Sequence, residues 1–203
     1  MVSDKYTMVE FLYNINNLNN LKSIFCHGIL SHNLIKELHI DHCDISNHSV
    51  QGLRDYKTIP GGKNLHDYAN LYIDARNPMM FTETHNNDVN KLCVICVDKR
   101  VLDLEGTIVT DRNAAARFAL FMTPDKGIES LDFDLIRLRD WTHSKPLIQK
   151  NQRQIKCAEV LVLNHVPIEY LIKIKVATKA AYDEVCNYIL NVPVEIDRDI
   201  FFM

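Results

Sequence analysis

Within the stretch IKCAEVLVLN, five of the six residues from 158 to 163 are apolar, the mark of a buried strand. The exception is Glu159. Side chains alternate faces along a strand, so Glu159 shares one face with Leu161 and Leu163, and Ala158, Val160 and Val162 take the other. A carboxylate in an apolar layer is costly unless something pairs with it. The chain must therefore build a sheet with a buried face and also account for Glu159 within it. Two roles stay open on the strand pattern alone: a strand-end glutamate reaching solvent past Lys156, or a carboxylate that works on a ligand.

Other segments fill in the class. YANLYIDA, KLCVICVDK and YLIKIKVA read as further strands. NNLNNLKSIFCHG reads as a helix with Leu18, Leu21, Ile24 and Phe25 on one face and Gly28 closing it at C′. SHNLIKELHI gives a second short helix, TDRNAAARFALFM a helix capped by Asp111 or Thr110, and TKAAYDEVCNYIL a last helix before a tail with VPVEI. Residues 42–64 are polar, with GLRDYKTIPGGKN as a loop around a Pro-Gly-Gly turn, and ESLDFDLIRLRDWTHSKPLIQKNQRQ is mixed and largely loop. This alternation predicts a single α+β domain over residues 1–203 with a central antiparallel or mixed sheet, and 203 residues suffice for its core.

Several chemistries are excluded. No G-x-G-x-x-G, P-loop lysine motif or G-x-S-x-G elbow occurs, so dinucleotide-fold, P-loop and α/β-hydrolase sites are unsupported. The histidines form no H-x-x-x-H, and HIDHCD reads as solvated loop, so no metal is expected. Cys93 and Cys96 form a CxxC inside an apolar strand, where a spacing of three puts the thiols on opposite faces as structural residues. Six scattered cysteines fit reduced thiols in a cytosol. Residues 1–10 carry Asp4, Lys5 and Glu10 and no apolar h-region, and no apolar run approaches the roughly 20 residues of a membrane span. A cytoplasmic location away from membranes is expected.

The net charge of −3 gives no global sign of nucleic-acid binding, but one tract does. Residues 137–156 hold six basic side chains (Arg137, Arg139, Lys145, Lys150, Arg153, Lys156), His143 and the only Trp, Trp141, against one acid, Asp140. Cations with an aromatic suit a single strand, by neutralising phosphates and stacking a base. The alternative is a solvated linker with Trp141 in the core.

Four separated pieces, in order along almost the whole chain, carry a resemblance: LYNINNLNNLKSIFCHGILSH, LRDYKTIPGGKNLHDYANLYIDARNPMMF, GTIVTDRNAAARFALF and IKCAEVLVLNHVP. Together they resemble the DarT family, the DNA ADP-ribosyltransferase toxins of bacterial toxin–antitoxin systems; LHDYANLYIDARNPMM is the most specific. The resemblance implies an ADP-ribosyltransferase fold, a split sheet gripping NAD, which is a substrate rather than a resident cofactor. It implies mono-ADP-ribosylation of a nucleobase in single-stranded DNA with release of nicotinamide. The catalytic residues would be Glu159, beside the ribose, and Arg54, which can also hold an NAD phosphate in a bidentate way. Tyr13, Asn14 and Ile15 would meet nicotinamide, and Asn20, Leu21, Gly28 and Leu30 would wrap NAD, although Leu18 and Leu21 suit the core equally.

By the same resemblance, Trp141, His143, Lys145, Lys150, Arg153 and Lys156 would contact DNA. His66 and Asp67 would hold the loop carrying Arg54, Tyr68 and Tyr72 would pack, and Asn77-Pro78 would form a turn. Asn14 stands where many relatives have His, and KCAEVLV departs from the spelling of thymidine-modifying members, so guanosine is favoured over thymidine. The expected partner is an antitoxin that strips ADP-ribose from DNA, a macrodomain or related hydrolase. The rival readings are an ADP-ribosyltransferase acting on RNA or protein and a non-catalytic nucleic-acid-binding module.

Overall fold

The β-branched apolar runs form the middle of a large sheet. The computed structural model describes residues 5–45, 48–187 and 191–203, with the side chains of all but 48–51 among them. The strands are β1 (Phe11–Asn17), β2 (Ile29–Leu30), β3 (Tyr68–Tyr72), β4 (Leu92–Asp98), β5 (Ile108–Thr110), β6 (Phe121–Met122), β7 (Glu159–Leu163), β8 (His165–Val166), β9 (Leu171–Val176) and β10 (Val194–Ile196). Eight of them lie in the order β10-β9-β4-β1-β3-β7-β5-β6, and β2 pairs with β8 apart from them. Pairing in the large sheet is antiparallel except for β10 against β9.

The sheet is split. β1 and β4 pair from Phe11↔Asp98 to Asn17↔Leu92, and β3 and β7 from Tyr68↔Leu163 to Tyr72↔Glu159. Between the two halves, β1 and β3 share a single register pair, Tyr13↔Tyr72. One face is continuous: Leu12, Leu71, Ile95, Val97, Val160 and Val162 belong to the main core. On the other face the apolar cover is divided. Ile15, Tyr72, Met80, Leu92 and Val94 form one cluster, and Ile59, Leu65, Tyr68, Ala114 and Leu161 another. Along β3, Tyr68 and Tyr72 join different clusters, and Asn70 between them faces a cavity. Cys93 lies in the main core, and burial pushes the Cys96 thiol up to about 12, so neither is a ready nucleophile at neutral pH.

Helices close around this frame. A 3₁₀ turn at Leu18–Asn20 leads into α1 (Leu21–His27), which Gly28 ends at φ 79. The Ser31 hydroxyl caps α2 (His32–Glu37), accepting the Leu34 N–H. Then α3 (His48–Asp55) stands where polarity predicted loop. Among its described side chains the buried one is Arg54, which pairs with Glu159. Asn77-Pro78 starts α4 (Pro78–Asn86) instead of a plain turn, with Asn77 accepting the Met79 and Met80 N–H groups.

The alanine-rich stretch after β5 is a series of turns, not the predicted helix. Asp111 accepts the Leu120 N–H at 2.8 Å, Asn113 accepts the Ala115 N–H at 2.9 Å, and the Ala114 N–H is committed to Glu159. These local and tertiary bonds displace the helical ladder that alanine favours. Conversely, the segment read as largely loop, residues 129–154, holds α6 (Phe133–Ile136) and nearly all of α7 (Pro146–Ile155); α5 (Pro124–Ser130) ends at its start, and α5 and α7 are both opened by proline. The last helix is α8 (Lys179–Cys186), capped by Thr178; residues 188–190 of its predicted extent lie outside the described residues. No helix among the described residues is long and apolar enough to cross a membrane.

Two residues expected at DNA hold the fold instead. Lys156, 1% exposed, donates to Asp74 at 3.1 Å and to the Ile136 carbonyl at 2.6 Å. Its ammonium lies 5.4 Å from the centroid of Trp141, which is buried edge-to-face against Phe81 and Phe202. Burial holds the Lys156 pKa below the usual lysine value, with Asp74 pulling it partly back. Neither side chain is offered to a phosphate or a base.

Gly28→Ala is expected to lose at least about 2 kcal/mol of stability, because a positive φ strains any residue with a Cβ. The added Cβ would also stand 2.2 Å from the Val166 carbonyl oxygen. Lys156→Ala is expected to cost about 2 kcal/mol, the low side for breaking a buried pair because Asp74 still reaches water. Denaturant midpoints at unchanged slope check both.

Candidate active site

Glu159 opens β7 and, through its register with Tyr72, faces the divided side of the sheet. It is 0% exposed. Arg54 Nη1 stands 3.0 Å from one carboxylate oxygen and 3.4 Å from the other, and the Ala114 N–H donates to the latter at 3.1 Å. The Glu159 N–H in turn donates to Thr110 Oγ1 at 3.1 Å, whose hydroxyl donates to the Arg112 carbonyl at 2.7 Å. The end of β5 therefore fixes the backbone of the glutamate, and the turn after it the carboxylate. This answers the carboxylate in the apolar layer: it is met by a guanidinium and a backbone N–H. It does not sit open at a cleft mouth; Arg54 covers it and itself lines the cavity in front.

That cavity, about 360 Å³, fills the fork between β1 and β3. The strands part there, so the Asn70 carbonyl takes a bond from the Asn14 side-chain amide at 3.2 Å in place of a ladder partner. The amides continue as a relay: Asn16 donates to Asn14 at 2.9 Å and Asn20 donates to Asn16 at 2.7 Å. Asn20 also pins the next loop, donating to the Cys43 carbonyl at 2.9 Å and accepting the Cys43 N–H at 2.7 Å. A wall of fixed amides of this kind can read a polar ligand without adding charge.

The opposite wall carries two histidine rings in edge contact, His32 and His66, with centroids 4.4 Å apart. His66 Nδ1 lies 3.7 Å from Asp55, next to Arg54, so His66 braces the end of α3. Asp67 serves its own turn, through a capping box with Asn64. Burial and the neighbouring His66 lower the His32 pKa. Tyr72 donates its hydroxyl to the Met79 sulfur at 3.0 Å, and burial raises the Glu83 carboxyl.

The cavity gathers Asn14, Ile15, Asn20, Gly28, Leu30 and Arg54 from the residues anticipated at NAD. Two do not reach it. Tyr13 packs against the cluster around Ile15, and Leu21, 0% exposed, lies in the main core. From the basic tract, Arg153 lines this cavity and, with Lys150, a second one of about 480 Å³ whose facing wall is Leu53, Ala115 and Ala116. The cavities share Pro78, Asn113, Arg153 and Cys157. His143 and Lys145 are exposed ahead of α7. Residues not anticipated are Asn16, His32, Asn70 and Asn113. Asn16 carried a signal, an amide two positions past Asn14 in a strand; the others are placed by tertiary contact.

A family model named DarT, described as ssDNA thymidine ADP-ribosyltransferase, matches residues 13–202. The chain is 26% identical over 195 residues to a DNA ADP-ribosyl transferase–DNA ADP-ribosyl glycohydrolase fusion protein of Thermosipho africanus, covering 95% of this chain and 49% of the relative, and so spans about half of that protein's length. It is 27% identical over 198 residues to a DNA ADP-ribosyl transferase of Thermus aquaticus, covering 93% of this chain and 84% of the relative. The fold is similar to that of Thermus sp. 2.9 DarT solved in complex with ADP-ribosylated ssDNA, at TM-score 0.83 and 22% identity over 97% of this chain and 98% of that one. The same protein in complex with NAD+ gives a TM-score of 0.76 at 22% identity, over 97% and 99%. The chain belongs to the DarT family of ADP-ribosyltransferases.

Proposed function

We propose that this chain, as one catalytic domain, moves ADP-ribose from NAD to a nucleobase of single-stranded DNA and releases nicotinamide. The observation that carries this is the Arg54–Glu159 pair under the floor of a split-sheet cavity, with a second, basic cavity joined to the first at Asn113 and Arg153. The Thermus sp. 2.9 relative was solved both with NAD+ and with ADP-ribosylated ssDNA, which supports donor and acceptor alike.

The chemistry follows from the charges. As the glycosidic bond between ribose and nicotinamide breaks, positive charge grows on the ribose carbon, and a carboxylate beside it stabilises that charge. Glu159 supplies the carboxylate once Arg54 turns from it to the NAD phosphates, a bidentate exchange of one anion for another. A base nitrogen then bonds the ribose carbon and gives up its proton. Asn14, Asn16 and Asn20 form the fixed wall for the donor, with Ile15, Gly28 and Leu30 beside them. Lys150 and Arg153, with His143 and Lys145 beyond, lead the strand in.

The family description names thymidine, whereas Asn14 and the Lys-Cys-Ala spelling before Glu159 lean to guanosine. Fusion of one relative to a DNA ADP-ribosyl glycohydrolase supports a hydrolase antitoxin as partner of a toxin. Six free cysteines support a cytoplasmic setting. A retained Arg54–Glu159 pair favours turnover over a binding-only module.

Incubation with NAD and short oligodeoxynucleotides, read by mass spectrometry, is expected to add one ADP-ribose to a single kind of base; no addition with any oligonucleotide would sink the proposal. Glu159→Gln, which keeps shape and removes charge, is expected to lower turnover about 100-fold or more with the fold retained. Arg54→Ala is expected to abolish turnover and to lower stability by about 3–5 kcal/mol, because it leaves a buried carboxylate unpaired. Melting and turnover measured on the same preparation separate the two effects.

A further inference from the structure

With Trp141 withdrawn into an aromatic core, a nucleic-acid strand lacks the stacking partner that the sequence offered. Other rings are exposed on the segments that supply walls of the second cavity. Tyr56 is 91% exposed and Phe118 72%, with Leu53 at 62% and Leu147 at 83%. Single exposed apolar residues are ordinary, but four of them on segments that wall one opening call for a partner. The two aromatic segments adjoin, because the Lys57 ammonium donates to the Ala116 carbonyl. Leu53 and Ala116 are themselves cavity wall, and Leu147 follows the wall residue Pro146.

The charge around these rings narrows the partner. Arg117 places its guanidinium 5.3 Å from the Phe118 centroid, and Lys150 and Arg153 line the opening. Of the nearby acids, Asp111 is paired with Arg112 at 2.8 Å, and Asp55 lies on the His66 side, 3.7 Å from its ring. A purely apolar protein face would leave these cations unmatched. A single-stranded polynucleotide presents flat apolar bases and anionic phosphates together.

We propose that Tyr56 and Phe118 form a stacking platform for the nucleotides flanking the modified one, with Arg117 meeting their phosphates. This rests on the DNA-modifying reading above and extends the substrate contact beyond the reacting base. Stacking accepts any base, so the platform adds affinity without sequence preference, and the gain appears only when the strand is long enough to reach it.

The test compares the wild-type chain with a Tyr56→Ala/Phe118→Ala double variant, using NAD and oligodeoxynucleotides lengthened step by step on either side of one modified base. For the wild type, KM for DNA is expected to fall with length. For the double variant, KM for the longer strands is expected to rise about tenfold or more, with kcat and KM for NAD unchanged. Tyr56→Phe with Phe118→Trp should keep the length effect, and Tyr56→Leu with Phe118→Leu, apolar but not flat, should lose it. Wild-type KM for the double variant at every length overturns the platform. So does a loss of kcat or of NAD affinity as large as the loss for DNA, which would place the rings in the fold of the site. If the wild type modifies no oligonucleotide, the DNA reading itself fails, and the platform falls with it.

Discussion

Much of this molecule is arranged around one buried contact, the guanidinium of Arg54 against the carboxylate of Glu159. A charge with no exposure on a sheet face is tolerated only when its partners are held in place. Those partners come from far apart: Arg54 is 105 residues from Glu159 in sequence, and the Ala114 N–H is 45 away. The short helix α3, braced at its end by His66 and Asp55, and the turns after β5 both exist in forms that serve this contact. Each departs from its local preference to do so.

The second constraint is the fork between β1 and β3. A sheet continuous across these strands would satisfy its backbone but leave no room for a ligand. Parting after Tyr13↔Tyr72 opens the cavity and frees a carbonyl, which Asn14 meets. The relay through Asn16 and Asn20 then carries this local repair out to the loop at Cys43. The amides are therefore structural and cavity-facing at once. That explains why asparagines, poor strand formers, recur in β1 and the turn that follows it.

The basic tract shows how charge counted along a chain divides once it is folded. Lys156 is a buried strut, and Arg139 is paired with Asp199. Arg137 donates to the Met8 carbonyl. Lys145, Lys150 and Arg153 remain exposed, the last two on the wall of the second cavity. The exposed cations of the tract that line a cavity are thus fewer than the sequence count, and the proposed platform adds Arg117 from a different segment.

The sequence by itself determined four strands of the large sheet, β3, β4, β7 and β9. Alternation assigned Ala158, Val160 and Val162 to one core and set Glu159 against it, and the odd spacing of Cys93 and Cys96 excluded a redox pair, because strand periodicity is a local property of the backbone. Resemblance, rather than periodicity, singled out Arg54. What the tertiary structure decided was every feature that depends on a distant partner: α3 in place of a loop, turns in place of an alanine helix, Leu21, Tyr13, Lys156 and Trp141 packed into the fold, and Tyr56 and Phe118 left exposed. Burial and pairing depend on which segments meet, and a side chain such as Lys156 reads identically in sequence whether water or Asp74 receives its charge.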